Sequence, residues 1–150
     1  MHEKLAELKA QGLTSWITTQ FGFDANPVID WLRQLRGDRM ETPVRVGIPG
    51  PASARTLLNF AARCGVEAST SVLAKYGLSL SKLLTTTGPN EILGEFGSKL
   101  EQGVHGTVRL HFYPFGGLLK TIEWIDLCRM EKALSSRNGE VTNFQDQARE

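Results

Sequence analysis

The chain has 150 residues, 41% of them hydrophobic and 22% charged, a composition that supports a packed core and argues against disorder over most of the length. Its 17 Lys and Arg residues against 16 Asp and Glu residues leave a formal net charge of +1, so no single-sign field exists to recruit nucleic acid or an anionic membrane surface. No run approaches the ~20 apolar residues that span a bilayer, and Met1-His2-Glu3-Lys4 opens an amphipathic pattern instead of a signal segment, so a cytoplasmic protein with no membrane partner is expected.

Residues 1–12 place Leu5 and Leu8 on one helical stripe and finish at Gly12, which predicts a helix with no strand before it. Ser15 through Phe21 is rich in β-branched and aromatic residues and runs into Gly22, Asp24 and Asn26, the pattern of a buried strand and its turn. Asn26 can cap the next helix and Pro27 can open it, because a first-turn residue needs no intrahelical donor. Val28, Trp31, Leu32 and Leu35 then recur at helical spacing, Arg33 and Arg36 fall on the solvated face, and Gly37 ends the run.

After Pro43, Val44 to Ile48 reads as a second strand, followed by the Pro49-Gly50-Pro51 turn and by Ser53 as helix cap. Leu57, Phe60, Ala61 and Cys64 form the stripe of that helix, and Gly65 closes it. Residues 66–103 are less regular: a Ser/Thr-rich connection, a helical stretch near Leu73 to Leu84, the breaker Gly88-Pro89, and a helix bearing Ile92, Leu93, Phe96 and Leu100. Thr107 to Tyr113 is the last strand, stopped by Pro114 and Gly116-Gly117, and Leu118, Ile122 and Ile125 mark the closing helix. Residues 1–134 form one domain, and the polar tail 135–150 lacks periodicity and is expected to be disordered.

Helices alternating with strands predict an α/β fold with parallel strands and helical crossovers. About three strands alone leave faces and edges uncovered, and the first helix lacks the strand it should follow. The expectation is the C-terminal part of a (β/α)8 TIM barrel, an architecture of about 250 residues that needs roughly five more strands. Either Met1 is an internal start in a truncated gene model, or this half assembles with another chain.

In such a barrel, functional side chains come from the C-terminal ends of the strands. Gln20 carries one acceptor and two donors, which suits a heterocycle with alternating polar groups such as a pterin, and Phe60, Tyr113 and Phe115 can line the apolar part of that ligand. Each has a plainer alternative: Gln20 as a satisfied polar residue of a barrel layer, Phe60 as core, Tyr113 as a strand-end hydroxyl with a protein partner. His111 reads as a hydrogen-bonded core histidine. His2, His105, His111 and the two cysteines, Cys64 and Cys128, show no ligand spacing, so neither a metal site nor a disulfide framework is expected.

Three motifs in order resemble the methylenetetrahydrofolate reductase family over about residues 5–128. Ile17-Thr18-Thr19-Gln20-Phe21-Gly22-Phe23-Asp24 is similar to its Ile-Thr-Gln-aromatic strand ending in Phe-Asp. Gly47 through Ala61 is similar to its Pro-Gly turn and Phe-Ala helix, and His111-Phe112-Tyr113 to its last strand. The resemblance implies FAD-dependent reduction of 5,10-methylenetetrahydrofolate to 5-methyltetrahydrofolate with NAD(P)H as hydride donor, an oxidoreductase step of one-carbon metabolism and methionine biosynthesis. It assigns folate contacts to Gln20, Thr56, Phe60, Tyr113 and Phe115, with Thr56 standing where the family often has a glutamine, and it places Lys9 near the family's flavin-phosphate lysine.

The chain departs from the family at Pro114-Phe115-Gly116-Gly117, where many members have Thr-Leu-Asn-Arg, and at Gly22, where an aromatic is usual. The folate-contacting arginine is therefore absent there, with Lys120 as a possible stand-in cation. The family's acidic catalytic residues belong to earlier strands, so this chain is expected to be inactive alone and to act as a homo-oligomer or with a complementing N-terminal barrel half. Two rivals stay open: a non-catalytic pterin-binding half-barrel, and a folate-using methyltransferase barrel.

Overall fold

Val44–Pro49 is the strand around which the other elements pack, because a run of Val, Val and Ile can be buried on a central strand. The computed structural model describes residues 1–65 and 86–131. In chain order these form α1 (His2–Ala10), β1 (Ile17–Phe21), α2 (Ala25–Gly37), β2 (Val44–Pro49), β3 (Ala52–Ser53), α3 (Ala54–Arg63), β4 (Thr86–Thr87), α4 (Asn90–Lys99), α5 (Gln102–His105) and β5 (Val108–Tyr113). A final helix, α6, covers residues 118–131. The helical stretch expected near Leu73 to Leu84 and the polar tail lie outside the described residues.

The expected α/β class and parallel pairing are present. β1, β2 and β5 form a three-stranded sheet in that order, and both pairs are parallel. Val44 pairs with Val108 and Pro49 with Tyr113 without interruption, whereas β1 carries an extra residue against β2 between Thr18 and Phe21. A second, two-stranded antiparallel pairing joins β3 to β4, which the sequence reading did not anticipate.

The core lies on the helix side of the sheet. Val44, Val46 and Ile48 are at most 1% exposed and meet Ile29, Leu32 and Leu35 of α2, Leu57 and Ala61 of α3, and Ile92 and Phe96 of α4 in one cluster. The helical stripes predicted for α2, α3 and α4 therefore face inward as expected. Ser53 caps α3 by accepting from the Thr56 N–H at 3.2 Å, and Gly12 and Gly65 follow their helices at positive φ.

Several local expectations are corrected. Asp24, not Asn26, caps α2, its carboxylate accepting from the Asn26 N–H at 3.0 Å; either residue type can cap, and the helix starts two residues earlier than expected, at Ala25. Helix α2 does end at Gly37, as expected, although the positive φ that follows falls on Arg39. Arg36 is not simply solvated. Its guanidinium donates to the carbonyls of His105 (2.8 Å), Thr42 (3.0 Å) and Met40, tying the end of α2 to the chain leading into β2 and β5. Desolvation lowers its pKa, partly opposed by the charge of Glu41.

On α6 two residues of the expected inner stripe are turned outward: Leu118 and Ile122 are exposed, whereas Ile125, with Trp124 and Cys128, is half-buried and Thr121 is buried. Positions 121, 124, 125 and 128 share the same helical spacing, so periodicity alone did not choose between the two faces. Cys64 is likewise exposed, as the cap residue that ends α3. No described helix is long and apolar enough to cross a membrane.

Candidate ligand site at the strand ends

The extra residue in β1 shapes the site. The Thr19 hydroxyl accepts from the Gly47 N–H at 2.9 Å and donates to the Gln20 carbonyl at 2.8 Å, replacing ladder bonds that a regular strand would make there. β1 crowds against β2 at this point: a Cβ on Gly47 would lie 2.7 Å from the Gln20 carbonyl oxygen and 2.8 Å from that of Thr19. Only glycine admits so close a backbone.

Past the bulge, the chain delivers Phe21, 2% exposed, into a group of rings contributed by three elements. Phe60 of α3 stacks on Phe115 with centroids 4.2 Å apart and planes 18° apart. Tyr113, at the end of β5, lies parallel to Phe115 at 5.7 Å, and Phe21 meets Phe115 edge-on at 4.7 Å. Phe23 and His111 extend the cluster by edge contacts to Phe21 and Tyr113. The Tyr113 hydroxyl donates to the Thr19 carbonyl at 3.0 Å, so the last strand is pinned to the bulge across the central one.

The loops bearing these rings interlock. The Gly50 N–H donates to the Tyr113 carbonyl at 2.8 Å, and the Gly117 N–H to the Pro114 carbonyl at 2.9 Å. Gly116 lies so close to the Pro51 carbonyl oxygen that a Cβ could not be accommodated. This is a physical reason for glycine at position 116.

Of the five residues assigned to folate, the structure gathers Phe60, Tyr113 and Phe115. Gln20 precedes Phe21, which meets that cluster, but its own side chain is exposed, which corrects the expectation of a buried amide: the bulge in β1 leaves it on the surface. Its Oε1 accepts from the Phe21 N–H at 3.1 Å, and its amide NH2 has no protein partner among the described residues. Thr56 stands one helical turn before Phe60, with its hydroxyl 2.9 Å from that of Ser53.

Lys9 is exposed in the last turn of α1, on the approach to the opposite, N-terminal end of β1, and its ammonium makes no hydrogen bond or ion pair among the described residues. It does not join the cluster. Thr19 and Phe21 are the site-forming residues that sequence reasoning missed as such; the Thr-Thr pair before Gln20 was the available signal, since a hydroxyl can replace a ladder bond. His111 is half-buried and packs against Tyr113.

Away from the ring cluster, a concavity of about 650 Å³ lies between α4, β5 and α6, lined by Leu93, Phe96, Leu110, Phe112, Trp124 and Cys128 among others. Burial, reinforced by the Glu131 charge, raises the Cys128 thiol pKa. No group of three or more His, Cys, Asp or Glu that could hold a metal ion occurs among the described residues. No protein-family model matches the chain.

Proposed function

We propose that the chain is the C-terminal, folate-side part of a (β/α)8 barrel of the methylenetetrahydrofolate reductase type, working in the cytoplasm on 5,10-methylenetetrahydrofolate. The observation that carries this reading is the ring cluster of Phe60, Phe115, Tyr113 and Phe21 at the C-terminal ends of parallel strands, with Gln20, the chain neighbour of Phe21, holding an amide NH2 that has no partner among the described residues. Flat conjugated ligands are held by such stacked rings, and an amide NH2 supplies polar readout. The three parallel strands, consecutive in the sheet and joined by helical crossovers, fit one arc of a barrel as far as they go.

In this reading Gln20 hydrogen-bonds the pterin edge, the stacked Phe60–Phe115 pair offers a flat apolar face to its aromatic parts, and Tyr113 keeps the bulge carrying Gln20 in place through the Thr19 carbonyl. These are positioning roles, which lower a barrier by fixing reacting groups in register. FAD does not fit the described residues: its one assigned contact, Lys9, is an exposed side chain apart from the cluster, and one lysine is no cradle for a dinucleotide. The flavin, and with it NAD(P)H, belongs to a complementing barrel half, so the chain by itself binds ligand without turnover.

The test is titration of the full chain with 5-methyltetrahydrofolate, followed by equilibrium dialysis. Saturable binding that weakens at least tenfold in F60A supports the reading. Absence of saturable binding by the folded wild-type chain removes it. Binding that persists beside an added flavin-loaded barrel half, with no NADH oxidation, favours a non-catalytic pterin-binding half-barrel.

A further inference from the structure

The face of the sheet turned away from the helices carries an unusual row. The register sets Thr18 of β1 beside Arg45 of β2, and Arg45 beside Arg109 of β5, all on the side opposite buried Val44 and Val46. Thr18 and Arg109 are exposed, and Arg45 is only half-buried, its guanidinium lying 4.0 Å over the ring of exposed Trp16. Two cations as direct cross-strand neighbours repel each other.

Among the described residues no carboxylate pairs with either arginine. The ion pairs there, Asp30 with Arg33, Glu95 with Lys99 and Asp126 with Arg129, are each confined to one helix. Neither sheet arginine makes a side-chain hydrogen bond or an ion pair among the described residues. On both sides of the row, β1 and β5 are the edge strands of the sheet among the described residues.

We infer that this face docks a separate polypeptide that presents carboxylates opposite Arg45 and Arg109 and continues the sheet at its edge strands. Charge complementarity selects the occupant. A second copy laid face to face would bring its own arginine row against this one, which disfavours self-association through the face. With a net charge of +1 and basic character concentrated in one pair here, a polyanion has no extended field to follow. The inference rests on the incomplete-barrel part of the proposed function and does not depend on which ligand the ring cluster takes.

The experiment uses R45K and R109K, which keep the charge and supply an amine, in the full chain expressed in the cells that make it. A zero-length carbodiimide joins such an amine only to a carboxylate in contact, and mass spectrometry locates the linked residue. The expected result is a link from the introduced amine to an Asp or Glu of a different polypeptide, with recovery of that complex reduced at least tenfold by R45E/R109E. If that variant fails to fold by circular dichroism, R45Q/R109Q must give the loss. Links only to a second copy, no link at all, or a complex indifferent to both double variants would overturn the inference. Binding of 5-methyltetrahydrofolate, measured on the same variants, separates the two proposals: it can persist when docking fails, and docking can persist when it fails.

Discussion

Tyr113 joins two strands that do not touch, through a single bond from its hydroxyl to the Thr19 carbonyl. Y113F keeps the ring stacking and removes that donor, so it should lower stability by about 1 kcal/mol in urea unfolding, the usual worth of one such bond. Gly47 tolerates less. G47A would force a methyl against two backbone carbonyls, and a loss of roughly 1–3 kcal/mol is expected by the same measurement, as for an overpacked core. At Cys128 the folded state raises the thiol pKa, so the folded chain holds that proton more tightly than the unfolded one. Its contribution to stability is full below the ordinary thiol value of 9.0 and falls as pH rises toward the folded value; thermal melts between pH 8 and pH 10 should show a decline that C128S lacks.

These residues also mark the limit of sequence reading. Tyr113 needed a polar partner on general grounds, and it has one, but the partner is a backbone carbonyl exposed by a bulge. Alternation in Ile17 to Phe21 suggests an unbroken strand, because the Thr19 hydroxyl that substitutes for a ladder bond leaves no mark on hydrophobic period. Gln20 was consequently expected inside and stands outside.

Among the elements, helices whose apolar stripe met a capping residue were legible: α3 follows from Ser53 and the Leu57 and Ala61 spacing, and S53A should cost about 1 kcal/mol of stability through the lost cap. Helix α6 was legible as a helix but not in its orientation, since the stripe containing Leu118 and Ile122 and the stripe containing Thr121 and Cys128 have the same period. Arg36 shows the converse. It occupies the polar side of α2 by pattern, yet its planar fork gathers carbonyls from three separate residues. R36K should recover only a minor part of the roughly 2 kcal/mol or more lost in R36A, read as the shift of the urea midpoint, because an ammonium cannot span the same acceptors.

At the scale of the whole molecule, the α/β class and parallel order followed from the alternation of elements, whereas the outward arginine row did not. Periodicity places Arg45 and Arg109 opposite their apolar neighbours, but only strand register sets one beside the other.

The pairing of Val44 with Val108 also governs how the chain is made. β1 and β2 are separated by a single helix, so a β1-α2-β2 unit closes a short loop early, while β5 is synthesised long after and closes a far larger one. Until it arrives, one flank of the Val44, Val46 and Ile48 strand has no partner in its own chain. A truncation in β5, such as F112A, should therefore leave the refolding limb of a chevron nearly unchanged and steepen loss of the native state through faster unfolding, whereas I48A should slow refolding itself. Ribosome-bound chains halted before residue 108 would expose that flank to chaperones.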